Sequence, residues 1–296
     1  MKIIFSRKGF DSGFGGVPSP ILTGAGPVSL PIPSEAGAAA RRYQVAGLGL
    51  GPLMAQLTGG RHGDHTLVHF DPALSPAGRH SCESWRPALG QVGAAQSHLA
   101  NQSVGVGDLF LFFGWFRPAE IVGRQCRYRA GSSSFHAVFG WLQVGEMIEI
   151  PSGETGHVPD WLADHPHVVH ARRFRGQRNT VYVASDRLRL DGKDTGLPGG
   201  GRFSSWTEDL RLSADGANRS LWRVPDWMEP RAGRTALSYH RNPARWHQTP
   251  GGLRLRTVHK GQEFVLDSTG YPEARAWARE LIERHARASD SGEEQI

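Results

Sequence analysis

Two stretches constrain this chain more than any others. GVGDLFLFFGWF, from Gly105 to Phe116, sets a Gly-Asp turn ahead of an unbroken apolar and aromatic run, and FHAVFGWLQVGEMIEI, from Phe135 to Ile150, repeats the pattern after a polar, Arg- and Ser-rich connection. Side chains on a strand alternate between two faces, so a run apolar at every position is a strand covered on both. Two such strands joined by a polar segment predict a hairpin in the interior of a barrel.

The rest of the chain is broken into short pieces. Gly 38 and Pro 19 in 296 residues make about a fifth of the chain, above the usual share, which multiplies turns and excludes a long coiled coil. Hydrophobic content of 39% with 13 Phe, 9 Trp and 5 Tyr is enough for a folded core. Strands are predicted over Lys2–Ser6, within GDHTLVHFDP (63–72), over Thr180–Leu190, at 253–258 and at 263–267. A short helix is expected at 91–104. GFDSGFGGVPSPI and LPGGGRF (197–203) read as glycine loops. Pro272 opens a helix, PEARAWARELIERHARA, with Ala276, Leu281, Ile282 and His285 near one stripe. The expected fold is α+β and β-rich, a partly closed β-barrel with short helices and a C-terminal helix outside it. One domain is expected over 1–287, followed by a disordered acidic tail over 288–296.

Net charge is +6, and of 34 basic residues only Lys2, Lys8, Lys193 and Lys260 are lysines. Guanidinium forks suit phosphates and base edges, yet a bias toward arginine also follows from a GC-rich genome. Cys82 and Cys126 are too few for a disulfide framework. MKIIFSRKGF lacks the apolar run of a signal peptide, and no apolar stretch approaches the roughly 18 residues of a membrane helix. A cytoplasmic protein with no membrane partner is expected.

Chemistry-bearing residues fall into groups. His62-Gly63-Asp64 and His69-Phe70-Asp71 share the His-x-Asp spacing, which on an extended strand can set an imidazole and a carboxylate on one metal. His69 and Asp71 are the better placed pair, with His136, His240 or His259 as a further ligand. That set would suit Fe(II) with 2-oxoglutarate. The same pattern is equally a strand-end histidine and a turn-capping aspartate. His165 and His167 of DHPH share a face if extended, beside Arg172, Arg173, Arg175 and Arg178. Phe112, Phe113, Trp115, Phe116, Phe139 and Trp141 could stack a base, although core packing explains most of them. Trp115 and Trp141 each follow a glycine, in FGW, where the ring could line an opening. No Walker motif, nucleophile elbow or dinucleotide fingerprint is present.

The ordered set MKIIFSRKGFDSGFGGVPSPI, SLPIP, HFDP, GVGDLFLFFGWFR, HAVFGWLQVGE, HPH, NTVYVA, LPGGGRF, LSYH and GQEFVLD resembles the third family of nucleotide-modification-associated domains. The resemblance runs from Met1 to about Trp277. It implies a role around nucleobase modification in bacterial and phage systems, with a nucleotide or nucleic acid and other pathway proteins as partners. Position by position it favours Asp11, Ser12, His69, Asp71, Asp108, Trp115, His136, Trp141, Gln143, His165, His167, Asn179, His240, Gln262 and Glu263. GDLFLFF with FGWLQVGE is also similar to the paired strands of PUA-like barrels. The leading expectation is an enzyme that holds a base in a His/Asp/Trp-lined pocket, with Asp71 or Asp11 as general base and His69 or His136 orienting or protonating. An iron oxygenase using His69, Asp71 and His136 or His240, with an arginine clamp, is the alternative. A non-catalytic reader of modified nucleic acid is the third.

Overall fold

In a computed structural model of the chain, the residues described are 1–286 without 12, 14, 46, 77–83, 151–157, 217, 232 and 259–262. The two apolar runs become the longest strands of a ten-stranded sheet. Its strands are β1 (Lys2–Arg7), β2 (Ser19–Leu22), β3 (Gly26–Pro27), β4 (Ala88–Val92), β5 (Leu109–Val122), β6 (Gln125–Tyr128), β7 (Phe135–Glu149), β8 (Asn179–Ala184), β9 (Gly200–Arg202) and β10 (Glu263–Asp267). The main order is β10-β1-β5-β7-β8-β4. β1 and β2 run parallel to β5; the other pairings are antiparallel.

Both faces of this sheet are covered. On one, Ile3, Phe5, Leu109, Leu111, Phe113 and Phe264 pack against Trp222, Leu255, Tyr271 and the helix α4 (Glu273–His285). On the other, Ile4, Phe110, Phe112, Leu142, Tyr182 and Val265 pack around Leu99 of the helix α2 (Gly93–Asn101). A smaller cluster gathers Phe10, Leu22 and Val28 around Leu50, Leu53 and Met54 of the helix α1 (Leu50–Thr58). No described helix is long and apolar enough to cross a membrane.

The expected barrel is not found: the main path of the sheet ends at β10 and β4, and no closed barrel forms among the described residues. An apolar run reports that both faces of a strand are covered, and an open sheet layered on each side meets that condition as well as a barrel does. β1 inserts parallel beside β5, so the β5–β7 hairpin lies inside the sheet rather than closing it. Boundaries shift for local reasons. Gln91 and Val92 extend β4, and α2 starts only at Gly93. The strand expected over 180–190 breaks into β8 and Arg187–Leu190, while LPGGGRF contributes strand residues at both ends rather than a loop. GLGLGPL leads into α1, a helix its glycines conceal. On α4 the buried stripe is Ala274, Ala278, Leu281, Ile282 and His285; Ala276 faces outward. Residues 288–296 lie outside the described residues.

Phe113 makes an edge-on contact with Trp222 at 4.9 Å and is 1% exposed. Phe113→Ala is expected to cost about 3–5 kcal/mol in urea unfolding. Val122→Ala, at the exposed end of the same strand, should stay within about 0.5 kcal/mol; equal losses would contradict the two-faced core.

Candidate functional site

The sheet contains a notch. Arg7 of β1 sits opposite Phe113, and Ser19 of β2 sits opposite Phe116 on the same edge of β5. β1 and β2 are thus one interrupted strand, and the chain leaves the sheet between them, beside Gly114 and Trp115. A Cβ on Gly114 would come within 3.0 Å of the Lys8 carbonyl, so the glycine lets the departing chain pass close. The Asp11 carbonyl accepts the amides of Gly15 and Gly16 at 2.8 and 2.7 Å, and its Oδ1 accepts Gly13 N–H at 2.7 Å, which shapes the departing loop.

Polar and charged side chains from six chain segments gather between the α2 side of the notch and the β4 edge. Lys8 Nζ, on a side chain 7% exposed, lies 3.3 Å from Glu263 Oε1. Gln91 of β4 donates to the same oxygen, and Glu263 Oε2 is buried with no hydrogen-bond partner among the described residues. Asp71 follows the strand Leu67–His69, and its Oδ1 accepts Gly90 N–H at 2.8 Å. Its oxygens stand 4.0 Å from His165 Nε2 and 3.7 Å from His167 Nε2.

The tautomer of His167 is fixed by its neighbour. Asn179 Nδ2 donates to the His167 carbonyl at 2.9 Å, so its Oδ1 is the atom 2.6 Å from His167 Nδ1. Nδ1 therefore carries a hydrogen, and Nε2 is the atom turned to Asp71. Gly90 leaves room for this ring, since a Cβ there would fall 2.1 Å from His167 Cδ2. His165 precedes the short helix α3 (Pro166–Val169) and accepts the His167 amide on Nδ1.

Electrostatics separates the two carboxyls. Burial would raise the Asp71 carboxyl, but contact with His167 and the charges of Lys8 and the histidines outweigh it, holding Asp71 well below the usual carboxylate range. Burial pushes the Glu263 carboxyl up, and Lys8 only partly offsets this. Two acids near one ammonium thus move in opposite directions, the arrangement that separates a base from an acid. Burial lowers His69 despite the Asp71 charge, and its Nδ1 is buried without a hydrogen-bond partner among the described residues.

The opposite face of the notch is different. Arg219 Cζ lies 4.0 Å above the Trp115 ring. Trp222 Nε1 donates to His136 Nδ1 at 3.2 Å. Burial, then the charges of Arg219 and Arg7, lower His136 to about 3. The Asp11 carboxylate acts on Arg219, which places Asp11 on this side, away from Asp71. His240 touches Phe264 edge-on at 4.7 Å; its Nδ1–H donates to the Ser238 carbonyl at 2.7 Å, and its Nε2 accepts Val258 N–H at 3.2 Å.

The four residues expected to share a metal are therefore not brought together. Asp71, two residues after His69, accepts Gly90 N–H at the edge of β4; His136 and His240 pack with Phe113 and Phe264 on the α4 face. Among the described residues no group of three His, Cys, Asp or Glu has a metal-holding arrangement. Which sheet face a distant histidine takes cannot be read from the His-x-Asp spacing. Trp141 lines no opening: it is 2% exposed, stacks on Phe203 at 5.4 Å and donates to the Pro198 carbonyl. Gln143 braces Arg189, donating to its carbonyl and accepting its amide at 2.6 and 2.7 Å. It lines a cleft of about 910 Å³ with Arg187, Arg189 and Arg275. Asp108 caps its own turn through Gly105 N–H. Ser12 and Gln262 lie outside the described residues.

Residue-by-residue reading missed Lys8, Gln91, Arg7 and Arg219. Lys8 carried a usable signal, as one of four lysines among thirty arginines inside a motif. Lys8→Met leaves two buried carboxyls without their cation and is expected to cost about 3–5 kcal/mol at pH 7. Asp71 in the native protein contributes stability present above its unfolded pKa of about 4 and lost as acid protonates it. Without Lys8 the Glu263 carboxyl loses the charge that partly offsets its burial and moves further up, so stability should fall as pH rises from about 4 to 7. Urea unfolding at pH 5 and 7 measures this, and an unchanged pH slope would refute the shared cation.

No curated protein and no solved structure matches the chain. The family model for nucleotide modification associated domain 3 matches residues 2–267, a span that holds Lys8, Asp71, His165, His167 and Glu263, and the chain belongs to that family.

Proposed function

We propose that this protein is an enzyme of nucleotide modification, with the Lys8, Asp71 and Glu263 cluster as its acid-base centre. The observation that carries the reading is the pair of carboxyls driven apart around one buried ammonium. Perturbed pairs of this kind collect where protons are moved, because a proton acceptor and a proton donor must coexist at one pH.

In this reading Asp71 is the base and accepts a proton from the nucleobase or from the nucleophile that attacks it. Glu263 is the acid and returns a proton to a ring nitrogen or exocyclic oxygen. Lys8 stabilises the negative charge that passes between them, and His167, clamped by Asn179, directs Nε2 at Asp71. His165 and His69 complete the wall. The substrate class follows from the family: a nucleotide or nucleic acid, in company with other proteins of the modification pathway.

The alternatives draw less from the geometry. An oxygenase ligand set built on His69, Asp71 and His136 or His240 would need residues from the β4 edge and the α4 face together. A reader that stacks a base on Trp141 would need a ring that is instead sealed in the core.

Asp71→Asn and Glu263→Gln are expected to lower formation of the modified nucleoside by about 10²–10⁴-fold, read by mass spectrometry of digested DNA and nucleotide pools. Gly90→Ala, which displaces His167, should lower it by a smaller factor. Folded Asp71→Asn protein with undiminished product would sink the assignment. The rate should also fall as alkali removes the Glu263 proton, and that limb should disappear in Glu263→Gln.

A further inference from the structure

Opposite the acid-base cluster, the notch presents two guanidiniums. Arg7 is the last residue of β1, and Arg219 stands over Trp115. Among the described residues neither guanidinium forms an ion pair or a side-chain hydrogen bond. Both are half-buried, and each lies in the field of the other: Arg7 lowers the Arg219 guanidinium in addition to its burial, and both act on His136. Trp115 Nε1 is buried with no hydrogen-bond partner among the described residues. The Asp11 carboxylate acts on Arg219 more strongly than Arg7 does and offsets part of that repulsion.

Like charges held together with unspent donors are unfavourable unless an anion joins them. Planar forks and a fixed indole N–H match the oxygens of a phosphate. We propose that Arg7, Arg219 and the indole N–H of Trp115 bind a phosphate group of the substrate. This rests on the nucleotide-modification reading and deepens it: Arg7 and Lys8 are adjacent in the chain, so one end of the notch holds phosphate while the other addresses the base. Arg219 stacked on Trp115 also keeps that ring from pairing with a base, which gives the indole a role in anion recognition rather than stacking.

Calorimetric titration of the full chain at low salt tests this with inorganic phosphate, a nucleoside monophosphate, the corresponding nucleoside and a single-stranded oligonucleotide. Saturable phosphate binding is expected, at least 10-fold weaker in Arg7→Gln and Arg219→Gln and partly retained in Arg219→Lys. Arg189→Gln, in the separate cleft, should bind as the parent does. Tighter binding of the monophosphate than of the oligonucleotide assigns the phosphate to a free nucleotide, and the reverse assigns it to a polymer; both support the site. Equal affinities in the parent and both glutamine variants, with thermal midpoints unchanged, or no phosphate binding in the parent, would overturn it. Should phosphate binding depend on these arginines while Asp71→Asn retains product formation, the acid-base assignment fails and the phosphate site stands.

Discussion

The ammonium of Lys8 is the interaction on which the site depends. Two buried carboxyls would repel one another and take up protons if left alone. A single cation within reach of both lets one remain ionised while the other does not. The asymmetry comes from company rather than from depth: Asp71 has Gly90 N–H and two imidazoles around it, whereas Glu263 has Gln91 on one oxygen and no hydrogen-bond partner on the other among the described residues.

That ammonium is positioned by the sheet. β1 ends at Arg7, the chain turns out past Gly114, and the next residue directs its side chain toward β10, where Glu263 begins the strand that pairs with Ser6. A continuous strand in place of β1 and β2 would close the gap beside Trp115. The cost of the notch is met by covering both faces of β5 and β7 with aromatic layers, so the strands hold their register without a partner at every position.

The two long apolar runs made β5 and β7 legible, because full-period apolarity has few explanations. Whether they close into a barrel was not legible, since the same pattern serves any sheet covered twice. The site was legible in pieces. Asp71, His165, His167 and Glu263 lie in motifs that single them out, yet their meeting depends on β4, β8 and β10 arriving from across the chain. Gln91 sits where the pattern reads as helix, and Lys8 hides beside a glycine loop. Trp141 shows the converse: a glycine before an indole looked like an opening, but that glycine pairs with Arg202 of β9, and the ring fills the core under Phe203.

The notch also explains why the two faces differ so sharply. Adjacent residues on a strand point to opposite sides, so the basic pair Arg7-Lys8 at the end of β1 must divide between them. Lys8 meets carboxyls and joins the cluster proposed to handle protons. Arg7 lies in the field of another arginine and beside a histidine that burial and both guanidiniums keep neutral. A substrate that bridges the gap would find opposite chemistry at its two ends, and a nucleotide has that polarity: an anionic phosphate at one end and a base that exchanges protons at the other. The spacing that produces this is the alternation of a strand, so moving either residue by one position would put both charges on the wrong face.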